Sequence, residues 1–267
     1  MLRSIQAECY KATHRLYFWM CMAVAALCSF GVIFCLYLIK TQAPGTTALD
    51  LAVALDYTIL GLPIGLCLVI LGADIVFSEQ YKYNTLKNEV SFGISRLRVY
   101  LSRWVTALLT MLLLYFVLVA VYVLFGAILL GLPDPAYSLE RYQSTAGERI
   151  FFGLQMLGLY SFAALPLWLG GMSAAIACLF LITNSTVASF TYVGILALLP
   201  AVLKNLGLYV NSLFTPLYHL TLTYHMGMLF TGNPGWAEMG QCWLIGLGWT
   251  VLSTAVGAAL FARKEIQ

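Results

Sequence analysis

Long runs of apolar residues without a single charge constrain this fold more than any other feature. The first run covers residues 17–39 and contains no Asp, Glu, Lys or Arg before Lys40. A helix needs about 20 such residues to cross the roughly 30 Å hydrocarbon core of a bilayer. Similar runs recur along the chain, so we predict an all-α, polytopic membrane protein.

The composition supports this prediction. Of the 267 residues, 61% are hydrophobic and only 9% are charged, whereas a soluble domain is about 25% charged. So little charge cannot cover a surface that faces water, and little chain remains outside the apolar runs. We therefore predict a single transmembrane domain over residues 1–267, and we expect any chemistry that needs a large soluble domain to reside on another polypeptide.

Six crossings are predicted, preceded by an amphipathic helix at the membrane interface over residues 1–16. The crossings lie at about 17–39, 57–78, 104–130, 150–182, 187–203 and 242–262. Small residues at Gly61, Gly65, Gly246 and Gly248 would allow close contacts between helices. Residues 204–241 are rich in aromatics, Gly and Pro, so we predict short re-entrant helices at the outer interface there.

The lysines and arginines are distributed unevenly between the two sides of the predicted membrane. If both termini share one side, that side holds ten of the 14 basic residues. Because cytoplasmic loops carry the excess of Lys and Arg, we expect both termini to be cytoplasmic. The most polar stretch, residues 79–103, would then also face the cytoplasm.

No sequence motif indicates a reaction or a nucleotide site. The Gly-rich phosphate loop is missing, and so are His-Glu-x-x-His and Gly-x-Ser-x-Gly. The seven cysteines contain no Cys-x-x-Cys pair, and His14, His219 and His225 are widely spaced. We therefore expect no catalytic site, no metal, no cofactor bound by this chain and no nucleic-acid partner.

Asp74 is the one acid inside a predicted crossing, near its cytoplasmic end. Ion-coupled carriers usually hold several ionisable groups near the midplane, so pairing or capping is the favoured role for Asp74. So few fixed charges suit an amphipathic or lipid-like cargo better than a small ion. A carrier driven by an ion gradient and a non-transporting sensor or scaffold remain alternatives.

Residues 79–103 alternate polar and basic residues with apolar ones. This pattern predicts a short amphipathic helix, a break at Gly93 and a second helix that leads into the third crossing. The basic residues alone could serve as an anchor that fixes topology. Leu86, Val90 and Phe92 are apolar, and their exposure to water would be unfavourable, so they indicate a docking surface instead. Both interpretations are compatible with the residues.

The same stretch resembles the first cytoplasmic loop of type-2 ABC exporter permeases. Residues 79–88 (Glu-Gln-Tyr-Lys-Tyr-Asn-Thr-Leu-Lys-Asn) and 93–96 (Gly-Ile-Ser-Arg) are similar to the family's pattern of Glu, Thr-Leu-Lys and Gly-x-Ser-Arg. Residues 8–11 resemble the Glu-x-x-Lys of the family's interface helix, and residues 261–266 resemble its short basic tail.

The resemblance implies the transmembrane subunit of an ATP-driven exporter in the bacterial cell membrane. A separate ATP-binding cassette subunit would hold ATP and Mg, and a second permease copy or a sister permease would complete the complex. The short outer link is similar to that of small permeases linked to antimicrobial-peptide resistance, lantibiotic immunity and drug efflux. A cytoplasmic coupling helix would contact the ATPase through Glu79, Tyr83, Thr85, Leu86, Lys87, Asn88, Val90, Phe92, Gly93 and Arg96, with Glu8 and Lys11 on the interface helix.

Overall fold

The computed structural model describes residues 2–42, 49–77, 89, 91–133, 146–182, 184–229 and 235–263. All regular structure within these ranges is helical and none is strand, which confirms the all-α prediction. The helices are α1 (Leu2–Thr13), α2 (Leu16–Gln42), α3 (Leu51–Thr58), α4 (Ile64–Phe77), α5 (Arg96–Leu129), α6 (Ala146–Leu181), α7 (Ser185–Val193), α8 (Leu199–Tyr209), α9 (Phe214–His219), α10 (Leu222–Met228) and α11 (Trp236–Arg263). A 3-10 turn covers Ile59–Gly61 and a π-helical segment covers Gly194–Leu198.

Within the described residues, five helical stretches are long and apolar enough to cross a membrane: α2, α5, α6, Ser185–Tyr209 and α11. The bent pair Leu51–Gly61 and Ile64–Phe77 is a sixth candidate. The chain is therefore a multi-pass membrane protein. The exact six-crossing layout and the single-domain organisation stay predictions.

Several helices extend beyond the apolar runs from which the crossings were predicted. Helix α5 begins at Arg96 rather than near residue 104, and α11 begins at Trp236 rather than at 242. The fifth candidate crossing continues to Tyr209, so Lys204 lies within it. A helix pairs its own backbone groups, so it does not have to end where its surroundings change from lipid to water.

The second candidate crossing differs from the simple helix predicted over residues 57–78. It begins at Leu51 and bends by 66° at the break between Gly61 and Ile64. Pro63 lies at this break, where a residue without an N–H and with a fixed φ suits the start of a new helix. The earlier start also places the exposed Asp56 on this candidate crossing, so Asp74 is not its only acid.

The chain divides into two compact units. Unit 1 comprises Met1–Trp19, Pro63–Leu112 and Ala163–Gln267. In its core, the ring centroid of Phe180 lies 4.7 Å from those of Phe77 and Tyr100 and 4.4 Å from that of Phe261. Because these rings come from α4, α5, α6 and α11, one aromatic cluster joins four helices.

Two of the four glycines singled out in the sequence lie at close helix contacts in unit 1. A Cβ atom at Gly246 would lie 2.3 Å from the carbonyl carbon of Pro166, and one at Gly65 would lie 2.3 Å from Nε1 of Trp168. A Cβ at Gly61 or Gly248 would meet no described atom within 4 Å. Close packing therefore favours glycine at Gly65 and Gly246, and it does not do so at Gly61 and Gly248.

Unit 2 comprises Met20–Leu62 and Leu113–Phe162. Ile33, Ala54, Tyr122 and Leu130 form one of its buried clusters. The Tyr122 hydroxyl donates to the carbonyl of Ala54 at 2.7 Å, and the Ser29 hydroxyl donates to the carbonyl of Leu118 at 2.8 Å. Side-chain hydroxyls thus join α2 and α3 to α5 through backbone carbonyls.

A π-helical segment separates α7 from α8. The N–H of Leu199 donates to the carbonyl of Gly194, five residues earlier. Pro200 follows directly and has no N–H with which to continue the ordinary i to i−4 pattern. The proline accounts for a wider turn at this point, a feature that often accompanies functional segments.

The stretch predicted to hold short re-entrant helices contains α9 and α10, of six and seven residues. The indole N–H of Trp249 on α11 donates to the carbonyl of Leu220 at 2.8 Å and fixes the turn between the two helices. Short helices therefore exist where they were predicted. Their position at the outer interface stays a prediction.

Candidate functional site

Only some of the predicted site residues lie within the part of the chain that the structure describes. Glu8, Lys11, Phe92, Gly93 and Arg96 are described. The predicted residues outside the described part are Glu79, Tyr83, Thr85, Leu86, Lys87, Asn88 and Val90. The candidate site is therefore built from α1, the end of α4, Glu89, residues 91–95 and the first turns of α5.

Glu89 is the centre of an ionic network in unit 1. Its Oε1 accepts from Nζ of Lys11 at 3.2 Å, and its Oε2 accepts from the guanidinium of Arg103 at 2.8 Å. The Lys11 amine also donates to Oε1 of Glu8 at 2.9 Å. Negative and positive groups thus alternate from Glu8 through Lys11 and Glu89 to Arg103. The network ties the end of the loop to both α1 and α5.

Lys11 lies between two carboxylates. Burial alone would lower the pKa of Lys11, but hydrogen bonds and charge interactions with Glu8 and Glu89 outweigh it, so the pKa of Lys11 is raised. The amine therefore stays protonated at neutral pH and keeps the bridge charged. Its place in the last turn of α1 also favours a cation, because the helix dipole is negative there.

Arg103 is a charged side chain that is only 1% exposed. Its guanidinium carbon lies 5.8 Å from the ring centroid of Phe77, within the range of a cation–π contact. Burying a charge in this way costs several kcal/mol unless an opposite charge and hydrogen bonds compensate it. Glu89 supplies that charge, so the position of Arg103 determines where the end of the loop is held.

Helix α1 packs through a narrow buried face. Glu8 is 7% exposed and Ala12 is 3% exposed. The Cys9 thiol lies 3.9 Å from the Thr106 hydroxyl on α5. The two residues singled out on this helix, Glu8 and Lys11, are three positions apart and form an ion pair with each other.

Arg96 joins the start of α5 to the end of α11. Its guanidinium donates to the carbonyls of Phe261 at 3.1 Å and Ala262 at 2.8 Å. The last carbonyls of a helix have no partner within the helix and carry partial negative charge. Arg96 therefore caps the last candidate crossing, a contact that the sequence pattern alone did not indicate.

Gly93 and Phe92 form the turn that leads into α5. Gly93 has φ of +83°, in the left-handed region, and a Cβ there would meet no described atom within 4 Å. Its backbone conformation, rather than lack of space, therefore favours glycine. Phe92 is 86% exposed, which leaves a large apolar side chain available to a partner.

Sequence reasoning missed Glu89 and Arg103 as members of the site. Glu89 is the one acid between residues 80 and 133, in a stretch with several basic residues, and that isolation was a usable signal for an ion pair. Which base it would meet depends on the packing of α1 against α5. Among the described residues, no group of three or more His, Cys, Asp or Glu side chains could hold a metal ion.

These observations define a helical, multi-pass membrane protein with an ionic network beside the loop that follows its bent candidate crossing. The family model described as ABC-2 family transporter protein matches residues 4–190, a range that includes every member of the network. The chain belongs to this family, as the resemblance predicted. Its members are membrane subunits of ABC transporters, generally without catalytic activity, and normally work with an ATP-binding subunit. No curated protein matches the chain.

Proposed function

We propose that this chain is the membrane subunit of an ATP-driven exporter and that its loop over residues 79–95 receives an ATP-binding subunit. The partner would hold ATP and Mg, and the present chain would form the path of the cargo. Two permeases, either identical or sister chains, would assemble with two ATPases in the bacterial cell membrane.

One observation carries this proposal beyond family membership. The carboxylate of Glu89 is held from two directions, by Lys11 of α1 and by Arg103 of α5. A loop that served only as a topology anchor would not need a buried ion pair at its end. A loop that must pass a force from a partner to the helices does need a firm attachment to them.

The distribution of charge supports a cytoplasmic position for this loop and for both termini. Ten of the 14 lysines and arginines lie in the segments assigned to that side, as the positive-inside rule requires. A soluble ATPase could then reach Phe92 and the residues before it. The helices α9 and α10 would lie on the opposite side, near the exit of the cargo path.

The cargo proposed is an amphipathic peptide, an antibiotic or a lipid-like molecule. The candidate crossings hold few acids, and Asp74, one of them, accepts hydrogen bonds from the hydroxyls of Tyr17 and Ser185. Helices with so little free charge suit a cargo that carries its own apolar surface better than a hydrated ion. Antimicrobial-peptide resistance is the physiological role that we propose, because the short outer link resembles that of small permeases linked to such resistance.

Purification of the chain from its native membrane tests the proposal. An ATP-binding subunit should co-purify, and Leu86→Asp should weaken its association at least about tenfold, which corresponds to 1.4 kcal/mol. Leu132→Asp is the matched control, since Leu132 is an exposed leucine in the loop assigned to the other side. Absence of any ATPase, together with transport that survives ATP depletion, would instead indicate a carrier driven by an ion gradient.

A further inference from the structure

Asp74 connects three segments of unit 1 through one carboxylate. It lies in the last turn of α4, just before the loop. Its Oδ2 accepts from the hydroxyl of Tyr17 on α2 at 3.0 Å, and its Oδ1 accepts from the hydroxyl of Ser185, the first residue of α7. The two donors are far from Asp74 in the sequence, so only the tertiary structure brings them together.

The local position of Asp74 is unfavourable for an acid. The C-terminal turn of a helix carries partial negative charge, which repels a carboxylate. The rest of α4 is apolar, and an acid among apolar residues loses hydration. The two hydroxyl donors compensate these costs, because hydrogen bonds to a charged acceptor are stronger than those between neutral groups. The acid is thus stabilised by α2 and α7 rather than by its own helix.

The end of α4 is also held by its backbone. The guanidinium of Arg15 donates to the carbonyl of Ile75 at 2.9 Å. Ile75, Val76 and Phe77 are at most 2% exposed. The last turn of α4 is therefore buried and bonded to Arg15, the residue just before α2.

A second hydrogen bond pairs α4 with α7 further along both helices. The Tyr192 hydroxyl donates to the carbonyl of Leu66 at 2.9 Å. From Asp74 to Leu66, α4 rises about 12 Å, and from Ser185 to Tyr192, α7 rises about 10 Å, at 1.5 Å per residue. Two hydrogen bonds thus join α4 and α7 about two turns apart, and the bond at Asp74 is the one nearer the loop.

We propose that Asp74 is a positioning residue that passes a displacement of the loop over residues 79–95 to α7, through its hydrogen bond with Ser185. The π-helical segment Gly194–Leu198 follows α7 directly and would absorb the resulting change before α8. This inference rests on the proposed function, because it takes the loop to be the part that an ATPase moves.

Hydrogen–deuterium exchange of the complex with its co-purified ATPase tests the inference without knowledge of the cargo. Exchange is compared without nucleotide and after trapping with Mg-ATP and vanadate. In the wild type, trapping should change exchange both in the loop and in α7. In Ser185→Ala the loop should still respond, while the response of the first turn of α7 should be lost, because its hydrogen bond to Asp74 is gone and Tyr192 holds only the far end of the helix.

Conservative and neighbouring variants separate transmission from folding. Ser185→Thr keeps a hydroxyl and should restore the response of α7. Thr186→Ala removes the adjacent exposed hydroxyl, which bonds to no described residue, and should behave as wild type.

The outcomes distinguish this inference from the proposed function. If α7 responds in Ser185→Ala as it does in the wild type, Asp74 does not transmit the displacement, although the loop can still receive the ATPase. If the wild-type loop itself does not respond to the trapped nucleotide, the loop is not the coupling element and both proposals are overturned.

Discussion

The side chains of the ionic network differ sharply in their exposure to solvent. The Arg103 side chain is 1% exposed, the Glu89 side chain 20% and the Lys11 side chain 46%. Exposed ion pairs contribute up to about 1 kcal/mol, whereas removal of one partner from a buried pair costs about 3–5 kcal/mol. The pair of Glu89 with Arg103 should therefore dominate the stability of the network, and the pair with Lys11 should add little.

Replacing Glu89→Gln should destabilise the protein by about 3 kcal/mol, because it leaves the buried guanidinium of Arg103 without its carboxylate. Thermal unfolding of the purified protein in detergent measures this effect. Lys11→Met is the matched control and should cost less than about 1 kcal/mol, because Lys11 is far more exposed. Equal losses in the two variants would contradict the difference in burial.

Replacing Gly93→Ala should cost about 1–2 kcal/mol, because an L-residue with a Cβ is disfavoured at a positive φ. The turn should become less ordered and association with the ATPase should weaken. Gly158→Ala in α6 serves as the comparison, since a Cβ there meets no described atom within 4 Å and the glycine is helical. That variant should be neutral or stabilising by up to about 1 kcal/mol.

His225 should make stability depend on pH. Burial lowers the pKa of His225 below its ordinary 6.5, and the charge of the nearby His219 ring lowers this pKa further. A backbone hydrogen bond with His219 acts in the opposite direction but does not outweigh them. The unfolded chain therefore binds the proton first, and stability should fall as the pH drops below about 6.5, by at most about 1.4 kcal/mol per unit. Thermal unfolding between pH 7.5 and 5.5 should show a shallower dependence in His225→Met, while an unchanged dependence would exclude His225 as its source.

At the scale of elements, close contact between α6 and α11 depends on one glycine. A Cβ at Gly246 would lie within 2.3–2.6 Å of the backbone of Pro166 and Leu167. Because those atoms belong to a helix backbone, they cannot rotate away as the end of a side chain can. The two helices would have to separate, with loss of packing along both.

Gly246→Ala should therefore destabilise the protein by about 2–3 kcal/mol, within the range of overpacked core substitutions. Gly248→Ala is the matched control two positions along the same helix, where a Cβ meets no described atom within 4 Å. Thermal unfolding in detergent compares the two. A similar loss for both would mean that helix flexibility, rather than the contact with Pro166, explains the effect.

The elements that could be predicted from sequence are those set by local properties. Hydropathy placed the apolar cores of the long helices, and the breakers in residues 204–241 indicated the short helices α9 and α10. The 66° bend of the second candidate crossing was missed, although Pro63 marks its position. The partners of Glu89, Arg96 and Asp74 were not predictable, because each contact joins residues that only the packing of distant helices brings together.

For the whole molecule, the three basic attachments of the loop region form a consistent pattern. Arg103 holds Glu89, Arg15 holds the end of α4, and Arg96 holds the end of α11. Arg15 and Arg96 bond to helix-end carbonyls that lack a partner within their own helices, and Glu89 compensates the buried charge of Arg103. The described residues at both ends of the loop are thus attached to several helices of unit 1.

Photo-crosslinking from Phe92 tests the central claim most directly. With p-benzoylphenylalanine in place of this 86% exposed residue, illumination of native membranes should link the chain to its ATP-binding subunit. The same label at Tyr209, which is 83% exposed and lies on the side assigned to the exterior, should give no such product. A product from Tyr209 alone, or no ATPase product from either position, would contradict the account of this loop as the docking site of the ATPase.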